Sequence, residues 1–413
     1  MISKRETKFL KNLINKLGNQ KTQKINKYPL LEKGFTTDDI MRGIEVLLSR
    51  KITMSDITKK FEYNFSKFVG SKYSLMVNSG SSANLLAAFA LTNPKKKRRL
   101  KPGDKFLIPA ICWSTSLWPL IQCGLKPKFL DVNINNYCLD EKLLKKDKQI
   151  KAIMNIHILG NSSNMDKLTH FAKSNKMYLI EDTCEALGSK FKSKYLGTFG
   201  DFGTYSFYYS HQITSGEGGM IVCKTKEDYE LLHTMRAHGW DRGLNNLRKK
   251  NNFNFINSGF NLRPMDLTAA IGLSQLKRLK NMIKSRSKNR KLIINKIINS
   301  EHWDDQFTFF NPNKNLEPSW FGLPLLVNQK FVMHKEKFLK YLNSSGVETR
   351  PILSGNFLNQ PSCKLYNFKY DKKSFKVSQE IEDRGFFIGL PTSDMNFKTL
   401  NFLTEKLLKI KDY

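Results

Sequence analysis

Acidic residues are scarce in this chain: 36 Asp and Glu stand against 69 Lys and Arg, a formal net charge of +33. Gathered into a patch, such a surplus would attract nucleic acid or a membrane surface. The lysines instead run from Lys4 to Lys411 among many Asn and Ile residues, which fits a compositional bias, and no nucleic-acid partner is expected. The densest run, Lys95-Lys96-Lys97-Arg98-Arg99, lies between Pro94 and Lys101-Pro102-Gly103-Asp104 and reads as a solvated turn. Cysteines are few and scattered. Cys112, Cys123, Cys138, Cys184, Cys223 and Cys363 form no C-x-x-C and no Cys/His cluster at zinc spacing, so no metal site is expected and the thiols read as buried in a reducing compartment. Nothing approaches the ~20 apolar residues of a membrane span. Met1 to Gln20 is basic and weakly amphipathic, with short apolar steps at Phe9, Leu10, Leu13, Ile14 and Leu17 rather than a signal-peptide core. The expectation is a cytoplasmic protein with no membrane partner. Internal repeats are also missing.

What is present suits a large folded protein. At 413 residues, with 40% hydrophobic and 12% aromatic residues, the chain exceeds one ordinary domain and can fill a sizeable core. Short apolar runs bounded by Gly, Pro, Asn and Asp alternate with longer segments of helical period, the pattern of an α/β domain. Strands are expected at Ser74–Val77, Lys105–Ile108, Lys128–Val132, Ala152–Ile156, Met177–Ile180, Thr204–Phe207 and Gly219–Cys223. Helices are expected at Ser82–Leu91, Leu117–Cys123, Asp166–Asn175 and Asp266–Lys284, with a lysine-rich helical stretch over Leu276–Ile298 leading to a second domain. That domain should hold a strand in Ser319–Leu326 and helices in Val332–Ser344, Gln379–Asp383 and Lys398–Ile410. The division expected is a basic N-terminal segment (1–34), a large α/β domain (35–280) and a small C-terminal domain (281–413).

Three segments carry chemistry. The first runs from Leu75 to Ala90: an apolar strand, the small-residue turn Asn78-Ser-Gly-Ser-Ser82, then a helical run. Backbone N–H groups of Gly80, Ser81 and Ser82, with two hydroxyls and the helix dipole, make a phosphate cradle; a plain Ser-capped helix is the other reading. The second is Met177 to Ala186, where a buried strand emerges into Glu181, Asp182 and Glu185. Carboxylates at a parallel strand's C-terminal end face the crevice where open α/β sheets bind ligands. An Asp there can keep a pyridine nitrogen protonated and turn the ring into an electron sink. The third, Gly200 to Met220, is a strand, a Gly-rich turn and another strand.

Together these segments resemble the sugar aminotransferase family called DegT/DnrJ/StrS. The shared motifs, in order, are N-S-G-S-S-A-N, P-A-I-C-W-S-T, E-D-T-C-E-A-L-G, S-F-Y-Y-S-H-Q-I-T-S-G-E-G-G and G-F-N-L-R, clear from Val46 to Leu276 and fainter to Pro391. The resemblance implies the pyridoxal-phosphate (PLP)-dependent transferase fold type I, aspartate-aminotransferase-like, with a large α/β domain and a small C-terminal α+β domain. It implies that Gly80, Ser81, Ser82 and Ser206 hold the cofactor phosphate, that Trp113 stacks on the ring and that Asp182 pairs with the pyridine nitrogen. Glu185 would lie close to the ring oxygen, and Asn261 would reach the phosphate across a homodimer interface.

The family places its cofactor-binding lysine in S-F-x-x-x-K, yet the sixth residue here is His211, and no lysine occurs between Lys194 and Lys224. Imidazole cannot make the covalent link that lysine makes, but near neutral pH it accepts and donates protons. The substitution resembles a narrower branch, the nucleotide-sugar 3-dehydratases that make 3,6-dideoxyhexoses, as does the string Glu348-Thr-Arg-Pro-Ile-Leu-Ser-Gly-Asn-Phe-Leu-Asn-Gln-Pro361. One type in that branch carries a 2Fe-2S cluster and needs a flavin reductase; this chain has no cysteine between Cys223 and Cys363 where ligands would be expected, and four thiolates are the usual requirement. The preferred likeness is the self-sufficient type acting on GDP-4-keto-6-deoxy-mannose, with pyridoxamine phosphate (PMP) bound non-covalently, no iron-sulfur cluster, and L-glutamate recycling the cofactor. His211 would be the acid-base catalyst. His238 is a second candidate, touching the sugar or structural. Arg350 would meet a carboxylate or sugar-linked phosphate, or form an interdomain salt bridge. His157 would line the substrate pocket or serve the fold. A plain sugar aminotransferase and a non-catalytic relative remain the alternatives.

Overall fold

The computed structural model of the chain describes residues 3–20, 26–32, 34–244, 253–312 and 314–413. It begins with helices α1 (Lys4–Gln20), α2 (Thr37–Ser49) and α3 (Asp56–Val69). Helix α2 starts at a capping box in which Thr36 and Asp39 satisfy each other's backbone amides. Helix α3 has no cap from its own N-cap residue; the buried carboxylate of Asp266 takes the amides of Ser55, Ile57 and Thr58 from across the chain.

Strands and helices then alternate: β1 (Tyr73–Val77), α4 (Gly80–Thr92), β2 (Lys105–Pro109), α5 (Ser114–Gln122), β3 (Lys126–Leu130), β4 (Ile150–Ile156), α6 (Met165–Ser174) and β5 (Tyr178–Asp182). A short hairpin, β6 (Lys190–Phe191) and β7 (Lys194–Tyr195), precedes β8 (Phe202–Ser206), β9 (Gly219–Cys223) and α7 (Lys226–Arg236). All seven expected strands are present, each end within two residues of its expected place. They form one sheet in the order β1-β9-β8-β5-β4-β2-β3. Neighbours from β8 to β3 run parallel, while β9 is antiparallel to both β1 and β8.

Helix α8 (Asp266–Leu276) leads to α9 (Leu279–Ile298). The single helix expected from Asp266 to Lys284 is thus two. No Pro or Gly breaks it; Leu276 and Leu279 both enter the core cluster beneath β9 and α3, and Arg278 between them reaches the Asp39 carboxylate. Beyond α9 lie β10 (Phe307–Thr308), β11 (Leu316–Glu317), β12 (Gly322–Val327), α10 (Lys335–Ser344), β13 (Thr349–Arg350), α11 (Pro361–Leu365), α12 (Lys376–Arg384), β14 (Gly385–Gly389) and α13 (Phe397–Leu407). An antiparallel sheet β10-β12-β14-β13 forms there, and β11 joins the hairpin of the first region.

One apolar core runs from Leu75, Phe106, Met154 and Ile180 of the large sheet to Leu323, Leu325, Phe386 and Ile388 of the small one. Residues 26–32 also pack on the small sheet: the Tyr28 hydroxyl donates to the Gly389 carbonyl at 3.0 Å. Asp131, just past β3, makes a polar tie between the two regions. Its buried carboxylate accepts the amides of Val377 (2.9 Å) and Ser378 (2.8 Å) and the Ser378 hydroxyl, capping the start of α12. Asp131→Ala leaves those buried donors unpaired and is expected to cost about 2–4 kcal/mol, read from the shift of the denaturant unfolding midpoint.

Candidate active site

A cavity of about 470 Å³ opens at the C-terminal ends of β1, β2, β4, β5 and β8, where a parallel sheet exposes its loops and helix N-termini. The small domain closes it with Phe321, Arg350, Leu353 and Phe387, and the N-terminal segment adds Leu30.

After β1, Ser79 caps α4, its side chain accepting the Ser82 amide at 3.1 Å. The Ser82 hydroxyl turns to Asn78 at 2.6 Å, so Ser82 stands behind the cradle rather than in it. Gly80 and Ser81 do line the cavity. Their amides belong to the first helical turn, which has no acceptor within the helix. A Cβ on Gly80 would lie 2.6 Å from the Ser206 Cβ and 3.0 Å from the Cys184 sulfur, so only glycine lets the helix start sit this close to β8. Ser206 closes the cradle from the end of β8, and Trp113, just before α5, presents an exposed indole to the cavity.

Asp182 ends β5. Its Oδ2 accepts from Asn84 Nδ2 at 2.8 Å and from the Ser116 hydroxyl at 2.7 Å, while Oδ1 accepts the Cys184 amide at 3.1 Å. Three donors from α4, α5 and the following turn fix the carboxylate on the cavity wall. Glu185 also lines the cavity, one oxygen accepting the Leu159 amide at 2.9 Å. Burial, and the charge of Asp182 beside it, push its carboxyl up to about 8 despite that bond.

His211 lies in the turn after β8, its amide donating to the Tyr208 carbonyl at 3.0 Å. The imidazole meets Phe321 and Tyr208 edge-on, at centroid distances of 5.1 and 5.9 Å. Nδ1 is sealed from solvent without a partner; Nε2 is not. Burial, reinforced by the positive charge of Arg286, pushes the imidazole down to about 3, so it is neutral through the physiological range. Arg286 is itself buried, donating to the carbonyls of Trp320 and Leu390. Among the described residues, no lysine lines this cavity.

Of the remaining candidates, His157 is on the wall at the end of β4, its Nε2 2.9 Å from Glu181 Oε2. Burial alone would raise the Glu181 carboxyl, but His157 and the amides of Gly197, Phe199 and Gly200 hold it below the usual range. Arg350 lies at the rim and pairs with Glu348 at 2.8 Å. His238 and Asn261 are not in the cavity. Both are exposed and adjacent, since the His238 amide donates to the Phe260 carbonyl and Ala237 bridges to Asn261, whose side chain accepts from Arg263. Sequence reasoning missed Asn84, Ser116, Tyr208, Glu217 and Phe321. Asn84, Tyr208 and Glu217 sit within recognised motifs and Ser116 just beyond one, while Phe321 is set only by contacts across the fold.

The arrangement is that of a site for a phosphate-bearing aromatic cofactor: an amide cradle, an aromatic side chain, a carboxylate for a ring nitrogen and a neutral base. Comparison with known proteins agrees. The chain is 38% identical over 398 residues to the GDP-4-keto-6-deoxy-D-mannose 3-dehydratase of Escherichia coli O55:H7 (strain CB9615 / EPEC), covering 92% of this chain and 99% of that one. A solved structure of the E. coli GDP-4-keto-6-deoxy-D-mannose-3-dehydratase with bound hydrated PLP matches with a TM-score of 0.84 at 34% identity, over 93% of this chain and 100% of the other. A second, with a trapped PLP-glutamate geminal diamine, matches at a TM-score of 0.83 and 34% identity over 92% and 100%. The family model of the DegT/DnrJ/EryC1/StrS aminotransferases matches residues 36–401, and the chain belongs to that family.

Proposed function

We propose that the chain is a PLP/PMP-dependent 3-dehydratase that removes the C3 hydroxyl of a nucleoside-diphosphate 4-keto-6-deoxyhexose, GDP-4-keto-6-deoxy-D-mannose in particular, with L-glutamate restoring the amine form of the cofactor. The observation that carries this is His211: a neutral imidazole lies in the cavity where the family's motif calls for an amine. That favours dehydration over plain transamination, since no lysine among the described residues lines the cavity to compete for the cofactor aldehyde.

When bound, pyridoxamine phosphate supplies an amine for the C4 ketone and a ring that accepts electrons. Gly80 and Ser81 amides with Ser206 would hold the phosphate, Trp113 would stack on the ring, and Asp182 would keep the ring nitrogen protonated. Protonated Glu185 would donate toward the ring oxygen. His211 would take a proton at Nε2 from the carbon that bears the cofactor's amine and pass it to the C3 hydroxyl, which leaves as water, while the amine nitrogen leaves as ammonia and glutamate replaces it. His157 and Arg350 face the sugar and its phosphates. Asn261 and His238, exposed on one chain, reach the site of a second copy in a homodimer.

Supplied with cofactor, glutamate and GDP-4-keto-6-deoxy-D-mannose, the protein is expected to give a sugar lacking the C3 oxygen, identified by mass; a retained amine would mark it as an aminotransferase. His211→Asn should lower turnover by about 10²–10⁴-fold while cofactor absorbance still reports binding; full activity in that variant would remove His211 from its role. The pH profile follows from the two shifted groups. His211, held down to about 3, stays unprotonated and competent as a base on the acid side. Glu185 keeps its proton until pH rises through about 8, where ionisation puts a second negative charge beside Asp182. Activity is therefore expected to fall on the alkaline side near that pH, and Glu185→Gln to flatten that limb.

A further inference from the structure

The family match begins at residue 36, so helix α1 lies outside the region shared with these enzymes. It is fixed to α2 along one edge only: Lys11 pairs with Asp38 at 2.6 Å and Asn15 bonds Thr37. Leu10 and Ile14 are half-buried along that edge. Phe9, Leu13 and Leu17, spaced four apart and so aligned along one face, remain 66%, 39% and 46% exposed. On a helix of 3.6 residues per turn, Arg5 and Lys16 fall beside Phe9, with Lys8 and Lys4 further round. The single acid of the helix, Glu6, is taken by the amide of Ser3.

An exposed apolar stripe bordered by cations is the layout of a helix lying in a membrane interface, apolar side chains in the acyl boundary and ammonium groups among anionic headgroups. We propose that α1 docks this protein on an anionic bilayer surface. The charge pattern selects that occupant over a second copy of the chain: each copy brings Arg5, Lys8 and Lys16 along the same side of the stripe, so pairing stripe to stripe would set like charges together. No helix among the described residues is long and apolar enough to cross a membrane, and the attachment is peripheral. The inference stands independently of the chemistry assigned to the cavity.

The test is co-sedimentation of the full chain with vesicles of phosphatidylcholine plus phosphatidylglycerol, against phosphatidylcholine alone. Binding is expected only to the anionic vesicles and should weaken as ionic strength rises. The double substitution Leu13→Glu with Leu17→Glu, and separately Arg5→Glu with Lys16→Glu, should each weaken binding at least about tenfold without changing solution mass or turnover. No binding to anionic vesicles, or unchanged binding of either variant, overturns the proposal. So does a drop in solution mass of the leucine variant, which would make the stripe an interface between copies.

Discussion

The Asp182 carboxylate is the knot on which the site depends. Asn84 of α4 and Ser116 of α5 both donate to one of its oxygens, and Asn84 in turn accepts from Thr204 of β8 at 2.7 Å. Four elements thus meet through one buried acid at the end of β5. The same geometry that satisfies the acid sets the cradle of Gly80 and Ser81 beside it and aims the following turn, with Cys184 and Glu185, into the cavity. Buried polar networks are costly when partly satisfied, and this one is satisfied by donors from segments far apart in sequence. The helix start at Gly80 and the carboxylate of Asp182 are therefore fixed relative to each other.

Electrostatics then divides the labour among the titratable groups. Burial alone raises an acid and lowers a base, and the cavity uses both directions: Glu185 is pushed up to about 8 and His211 down to about 3. Near neutral pH this leaves a protonated carboxyl and an unprotonated imidazole in one enclosure, a proton donor and a proton acceptor held apart by environment rather than residue type. Arg286 contributes from behind, as a buried cation bonded only to backbone carbonyls that further disfavours charge on the imidazole.

Much of this was legible in the sequence because it is local. A strand end followed by small residues and a helix writes Gly80, Ser81 and Asp182 into short motifs, and His211 is visible as a departure from one. The seven strands are legible for the same reason, as apolar runs closed by turn residues. What was not legible is set by contacts between distant segments. The break between Leu276 and Leu279 carries no Pro or Gly, and Lys277 and Arg278 both keep right-handed backbone, so nothing local marks it. Ser82 belongs to the recognised cradle motif, yet its amide serves the Ser79 cap and its hydroxyl Asn78, a choice among hydrogen bonds that spacing does not reveal. Phe321, the ring against His211, arrives from the other sheet, and no pattern around it marks that meeting. His238 and Asn261 stand outside the cavity of a single chain, and their place in the chemistry turns on assembly.

The histidine in the lysine slot changes more than one bond. A lysine there would be both tether and base, and a cationic amine at so buried a position would need a counter-charge. His211 needs none, because it is neutral in place and its sealed Nδ1 leaves Nε2 as the nitrogen open to exchange. A base of modest strength, free of the cofactor, can carry a proton from one atom to another and then release it. In the proposed dehydration such a carrier suits the departing hydroxyl, which leaves as water once it is protonated. Phe321 and Tyr208 both pack edge-on against the ring, limiting the orientations open to the imidazole without using either of its nitrogens.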